Sequence, residues 1–407
     1  MYTIIGNIIG KIYIDVATFN KFSMVNYMNR SVVIAILVLV AIATISAYYI
    51  LRYYIPQAHR SYGGSLTSTP TTTTIQLQDV VLQGAGATFV YPQIAEWARR
   101  FQSRYGVQID YQSVGSGAGQ SMFFQKVVDF ACSDPPLSRE NWLKYNGSVI
   151  QIPWLFGPVV IVYNIPELPR NAVLKLDAVA IARIYKGEIV YWDDEYIKNL
   201  NQDIAGLLPH REIVAVYRSD SSGTTELFTT FLYKASNGIW AKELVGKSIS
   251  WPVEGSGRGV GGKGNEGVTQ NVIQTPYSIG YVEWSYAIKN NLSIVAIRNA
   301  VGNFVLPSKE TLEETLKNLK LPSSPLEDFS KILDSVIYTP GDKSYPILGP
   351  THIILWRRYD DPKKAEALKL FLKWVVEEGY NYIVEGYATP PQNVRELLIK
   401  ASELIAS

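Results

Sequence analysis

The chain has 407 residues, 47% of them hydrophobic and 12% aromatic, which is ample for a large core and favours two globular units over one. A formal net charge of +2 leaves no basic field of the kind that holds nucleic acid. The single cysteine, Cys132, excludes an internal disulfide framework. His59, His210 and His352 lie too far apart in sequence to have metal-ligand spacing.

In chain order, the first distinctive segment is an uncharged apolar run over 32–51, with Arg30 before it and Arg52 after it. A helix of about 20 apolar residues crosses a bilayer core. Tyr48, Tyr49, Tyr53 and Tyr54 would form an aromatic belt at one interface. A transmembrane anchor is therefore expected. The competing reading is a signal segment cleaved near Ser46-Ala47, and the length and the tyrosines favour the anchor. Residues 1–31 then form an N-terminal cytoplasmic segment, with Met24 and Met28 as alternative starts. Residues 52–75, rich in Thr, Ser, Gly and Pro, cannot build a core and read as an extended stalk. An anchor followed by a stalk puts the rest of the chain on the outer face of the membrane. Asn146-Gly147-Ser148 and Asn291-Leu292-Ser293 match glycosylation acceptors, a pattern short enough to recur by chance.

From about residue 76, strand-like and helix-like segments alternate, which predicts an α/β body with mainly parallel sheets. Strand-like Val80-Val81-Leu82 leads through Gly84-Ala85-Gly86-Ala87-Thr88-Phe89 into a helical pattern over 94–101. The alternating segment 107–111 leads through Gly115-Ser116-Gly117-Ala118-Gly119 into Met122-Phe123-Phe124-Gln125. Cys132 lies in the apolar run 127–132 and reads as a small buried hydrophobe. A buried strand over 159–164 would cross to a second lobe. There, the apolar run 213–216 leads through Arg218-Ser219-Asp220-Ser221-Ser222-Gly223-Thr224-Thr225-Glu226 into a helix over 227–234 that closes near Gly238. A second crossing is expected after Glu283, and the run 345–355 returns to the first lobe. A helix over 363–378 packs there through Leu368, Phe371, Leu372 and Val375.

One strand, hydroxyl-rich loop and helix is an ordinary turn with an N-cap. Three in one chain suggest several helix N-termini aimed at a single anion, because such ends carry partial positive charge and unsatisfied donors. Arg218 adds a fixed cation that can bond two oxygens at once, and Asp220 can align it. Loops from two lobes meeting on one anion place the ligand in a cleft between them, which can close by hinge motion.

The segments Gly84-Ala85-Gly86-Ala87-Thr88-Phe89, Tyr111-Gln112-Ser113-Val114-Gly115-Ser116, Val128-Asp129-Phe130-Ala131-Cys132-Ser133-Asp134, Tyr185-Lys186-Gly187-Glu188-Ile189-Val190-Tyr191-Trp192-Asp193-Asp194, Arg218-Ser219-Asp220-Ser221-Ser222-Gly223-Thr224, Gly261-Gly262-Lys263-Gly264-Asn265-Glu266-Gly267 and Ile279-Gly280-Tyr281-Val282-Glu283 occur in that order. Together they resemble the periplasmic-type phosphate-binding protein of the phosphate ABC transporter, in the membrane-anchored form of archaea. The resemblance implies a two-lobed periplasmic-binding-protein-like fold of type II, with lobe 1 at 76–159 and 341–407 and lobe 2 at 160–340. It further implies no enzymatic activity, cofactor or metal. Inorganic phosphate is the implied ligand, with ABC permease and ATPase subunits as partners, and the chain is expected to be a monomer. Phosphate contacts carry over onto Thr88, Phe89 through its backbone N–H, Ser116, Asp134, Arg218, Asp220, Ser222, Gly223 and Thr224. The family usually has Gly where this chain has Ser221. Within the resemblance, Asp134 is the proton acceptor. Phosphate near neutral pH carries a proton that a buried carboxylate can accept in a hydrogen bond. Sulfate carries none and would meet Asp134 as a like charge.

Three other readings compete. Gly257-Arg258-Gly259-Val260-Gly261-Gly262-Lys263 has P-loop spacing, but Gly264 replaces the magnesium-ligating Ser or Thr, and Trp251-Pro252-Val253-Glu254 makes a poor preceding strand. A serine hydrolase on Ser116 or Ser222 lacks the Gly-x-Ser-x-Gly elbow. Another tetrahedral oxyanion (arsenate, tungstate or molybdate) would leave the fold unchanged.

Overall fold

A computed structural model describes residues 77–407. The segments expected at 1–31, 32–51 and 52–75 lie outside the described residues. Among the described residues, no helix is long and apolar enough to cross a membrane.

The architecture is α/β and two-lobed, organised on the 16-residue strand β4 (Val149–Asn164). Every residue of β4 except the two end ones is buried, so the sequence runs almost continuously apolar instead of alternating. Its first half belongs to one sheet and its second half to another. In lobe 1 the strand order is β2 (Gln108–Ser113), β1 (Val81–Gly86), β3 (Phe130–Ser133), β12 (Leu348–Trp356), β4. In lobe 2, β4 continues to β8 (Ser278–Glu283), β6 (Val214–Arg218) and β7 (Gly259–Gly262), with β9 (Ser293–Ile294) also paired to β4. A small third sheet joins β5 (Lys175–Leu176), β10 (Ala296–Arg298) and β11 (Phe304–Val305).

The sheets are mixed, where mainly parallel ones are expected from the sequence. β1 pairs in parallel with β2 and β3, and β6 with β7 and β8. β12 runs antiparallel to both β3 and β4, and β4 runs antiparallel to β8. The reason is the chain path. β4 carries the chain out of the first lobe and β12 carries it back, so each lobe holds one strand that runs against its neighbours. The chain also stays beside lobe 2 after Glu283, since β9 pairs with Val162 and Tyr163, and lobe 1 is regained only at β12.

Helices begin where the sheets end. α1 (Tyr91–Tyr105) buries Ile94, Trp97 and Phe101 on one face and stops at Gly106, whose φ of 74° is left-handed. α2 (Ser116–Phe124) follows β2, and the short α3 (Arg139–Lys144) precedes β4. Lobe 2 carries α4 (Ala178–Tyr185), α5 (Glu195–Leu200), α6 (Gly223–Ala235), α7 (Gly264–Gln274), α8 (Trp284–Lys289) and α9 (Lys309–Leu316). α10 (Pro362–Glu377) buries Leu368, Phe371, Leu372 and Val375 on the face expected, and α11 (Gln392–Leu404) closes the chain. Cys132 is fully buried.

Candidate functional site

β1, β2 and β6 each run at their C-terminal ends into a tight turn and then a helix. The β1 turn carries Thr88 and Phe89 into α1. The β2 turn reaches Ser116, the first residue of α2, through Gly115, whose φ is 91°. A side chain at Gly115 would be strained and its Cβ would lie 2.5 Å from Asp220 Oδ2. The β6 turn carries Arg218, Asp220 and Ser222 into α6. There Ser222 caps the helix, its Oγ accepting from Thr225 N at 3.1 Å. That leaves the N–H groups of Gly223 and Thr224 without intrahelical acceptors. A fourth turn, from β7 into α7, supplies Gly264 and Asn265.

These turns meet across the two lobes. Gly117 N donates to Ser221 O at 3.1 Å. Asn265, from lobe 2, donates to Thr88 Oγ1 from its backbone N at 3.2 Å and from Nδ2 at 2.8 Å. The Tyr286 hydroxyl donates to Thr88 O at 2.7 Å. Gly223 sits so close to lobe 1 that a Cβ there would lie 2.4 Å from Ser116 Oγ and 2.5 Å from Asp134 Oδ2. Thr88, Ser116, Asp134, Arg218, Ser222, Gly223 and Thr224 are all buried, Asp220 is half-buried, and the buried Phe89 lies beside Thr88 in the same turn. The structure thus brings the expected residues into one place. Ser221, which stands where glycine is usual, lies within the same turn as Asp220 and gives its carbonyl to the cross-lobe bond.

The charges are arranged around one ion pair and one carboxyl. Arg218, its side chain 1% exposed, binds Asp220 through Nε (2.7 Å) and Nη2 (2.6 Å), while Nη1 donates to Thr224 Oγ1 at 3.2 Å. Asp220 Oδ1 also accepts from Gly264 N at 3.0 Å. Burial opposes the charge on Asp220, but the Arg218 guanidinium and the Gly264 N–H outweigh it, so its carboxyl lies below the usual range. Asp134 behaves oppositely. Burial pushes its carboxyl up to about 7 against the pull of Thr351, Arg218, Ser116 and Lys247. Thr351 Oγ1 donates to Asp134 Oδ1 at 2.8 Å, and Asp134 Oδ2 faces Gly223 at the start of α6. Nearby, burial lifts Glu283 to about 8 and lowers His352 to about 4. The site therefore combines backbone and hydroxyl donors, a guanidinium paired with the Asp220 carboxylate, and, in Asp134, a carboxyl poised to hold or accept a proton.

The geometry also removes two of the competing readings. Gly259–Gly262 is strand β7, paired to β6 in register from Ala215 to Arg218, so it forms no phosphate-wrapping loop. Among the described residues, neither Ser116 nor Ser222 is hydrogen-bonded to a histidine. His352 Nδ1 faces the carbonyls of Ser133 and Asp134.

A PBP superfamily domain model matches residues 65–378. Over 338 residues the chain is 39% identical to the Phosphate-binding protein PstS of Methanocaldococcus jannaschii, an alignment that covers 80% of this chain and 86% of the relative. The chain belongs to the phosphate-binding protein family. The corresponding protein of Haemophilus influenzae is 37% identical over 317 residues, covering 77% of this chain and 90% of the relative. Among solved structures, the phosphate-binding protein of Stenotrophomonas maltophilia superposes with a TM-score of 0.60 at 19% identity, covering 79% of this chain and 93% of that one, which supports the two-lobed fold. Two residues that the sequence did not single out also join this cluster. Asn265 stands within the glycine-rich segment 261–267, where its spacing after β7 is the only signal. Thr351 lies 217 residues beyond its partner Asp134, and no local pattern links them.

Proposed function

We propose that this protein captures inorganic phosphate outside the cytoplasm, in the cleft between its lobes, and delivers it to the permease and ATPase subunits of an ABC importer. The observation that carries the reading is the meeting of Arg218, held by Asp220, with a buried Asp134 of raised pKa, among helix N-termini drawn from both lobes. Thr88, Ser116, Ser222 and Thr224 supply hydroxyl donors. Phe89, Gly223 and Thr224 supply backbone N–H groups, and Arg218 supplies charge-assisted bonds. Asp134 accepts the ligand's proton. With the Asp134 carboxyl ionised, above about pH 7, an anion without a proton leaves two acceptors facing one another, so sulfate is rejected by repulsion. The protein works as a binding protein and performs no chemistry on its ligand.

In this reading, lobe 1 comprises 76–159 with 341–407 and lobe 2 comprises 160–340. The chain acts as a monomer, held at the membrane by the segment 32–51 through the stalk 52–75. Calorimetric titration of the full chain with phosphate, arsenate and sulfate tests the ligand. At about pH 8, where the Asp134 carboxyl is mostly ionised, saturable phosphate binding with no sulfate binding is expected, and arsenate, which also carries a proton, competes. Sulfate binding as tight as phosphate binding would overturn the role of Asp134, and no phosphate binding would overturn the whole reading.

A further inference from the structure

We infer that Asn265 is a positioning residue that fixes the polarity of two ligand-facing hydroxyls, one from each lobe. The inference rests on the phosphate reading of the same site. Asn265 is fully buried near the start of α7. Its Oδ1 accepts from Glu283 N at 2.9 Å. A backbone N–H can only donate, so this contact fixes which end of the amide is oxygen and turns both Nδ2 hydrogens the other way. One of them reaches Thr88 Oγ1 at 2.8 Å and the other Thr224 Oγ1 at 3.5 Å.

A threonine hydroxyl has one hydrogen and two lone pairs. Thr88 Oγ1 receives both the backbone N–H and the side-chain N–H of Asn265, which fills both lone pairs. Thr224 Oγ1 receives Arg218 Nη1 at 3.2 Å and Asn265 Nδ2, with the same result. Each oxygen has only its own hydrogen left to offer, and among the described residues neither gives it to a protein acceptor. A hydroxyl free to rotate serves a donor or an acceptor equally well. These two are locked as donors, which suits an oxyanion. The lock on Thr224 lies wholly within lobe 2, whereas that on Thr88 forms only when Asn265 of lobe 2 meets Thr88 of lobe 1, so bringing the lobes together and aiming the Thr88 donor are one event.

The test is a cycle of phosphate titrations on the full chain: wild type, Asn265→Ala, the pair Thr88→Val with Thr224→Val, and the combination of all three. If Asn265 acts through the hydroxyls, Asn265→Ala weakens phosphate binding by roughly 10- to 100-fold when the threonines are present, and by less than about threefold when they are valines. An equal loss in both backgrounds means that Asn265 only supports the fold, and overturns the inference. Asn265→Asp keeps the shape if the alanine variant does not fold, and it replaces two donors by an acceptor that captures the threonine hydrogens. Its expected loss is at least as great, and wild-type affinity in that variant also overturns the inference. A wild-type chain that binds no phosphate refutes the ligand assignment itself, which the first titration reveals separately.

Discussion

Replacing Asp134 by Asn tests whether the site holds a buried carboxyl at the edge of ionisation. Asp134 is 1% exposed, and burial raises its carboxyl from 3.8 to about 7. That rise is about 3 pH units, or roughly 4 kcal/mol at about 1.4 kcal/mol each. The folded pKa lies above the unfolded one, so the folded state keeps its proton longer. The group's contribution to stability is full below about pH 3.8 and is lost as pH climbs through 7. Asn is neutral at every pH and can still accept from Thr351. The ligand-free variant should therefore match wild type near pH 4 and exceed it near pH 8, by about 2–4 kcal/mol once local relaxation is allowed for. His352 has the opposite trend, losing stability as pH falls from 6.5 toward 4, but it is present in both chains and cancels in the difference. Urea unfolding of both proteins at the two pH values, followed by tryptophan fluorescence, measures the effect. A stability difference that is the same at pH 4 and pH 8 would refute the reasoning. The same substitution should reduce discrimination against sulfate more than it reduces phosphate affinity, as competition titrations would reveal.

Arg218→Ala leaves Asp220 half-buried without its partner and is expected to cost on the order of 2–5 kcal/mol of phosphate binding. A calorimetric loss within error would remove Arg218 from the site. Gly223→Ala places a methyl group where Ser116 Oγ and Asp134 Oδ2 stand only 2.4 and 2.5 Å away. Phosphate affinity should fall roughly tenfold or more, while the ligand-free melting temperature moves by only a few degrees, since the lobes can part to relieve the clash. Thr351→Val deletes a hydrogen bond that holds the Asp134 pKa down. The pH midpoint of phosphate affinity should move up by about one unit, a shift that titrations from pH 6 to 9 would resolve.

The three turns that converge were legible in the sequence because each is local. A strand, a few glycines and hydroxyls, and a helix are all written within about ten residues, as at Thr88, Ser116 and Arg218. Strand direction was not legible. The pattern of β4 and β12 records burial on both faces, and burial does not say which way a neighbour runs. Asn265 and Thr351 were hidden for another reason. Their value lies in which atom they present to Thr88, Thr224 or Asp134, and those partners come from distant turns. At Thr351 the ladder adds a further complication. The pairing of β12 with β4 shifts register between Thr351 and His352, leaving Trp154 of β4 over between Pro153 and Leu155, an irregularity that appears only once the strands are paired.

The return of the chain along β12 has a consequence for how the molecule is made. β3 and the first half of β4 are zipped together only by a strand that begins at Leu348. As the polypeptide emerges from its N-terminus, β1, β2 and β3 can assemble early, but they wait with a raw margin until that late strand arrives. Lobe 2 draws its strands from β4 through β11, so all of them are in hand first. Maturation of the first lobe is therefore the late event, and it waits on β12 with β3, the longest-range pairing between strands among the described residues.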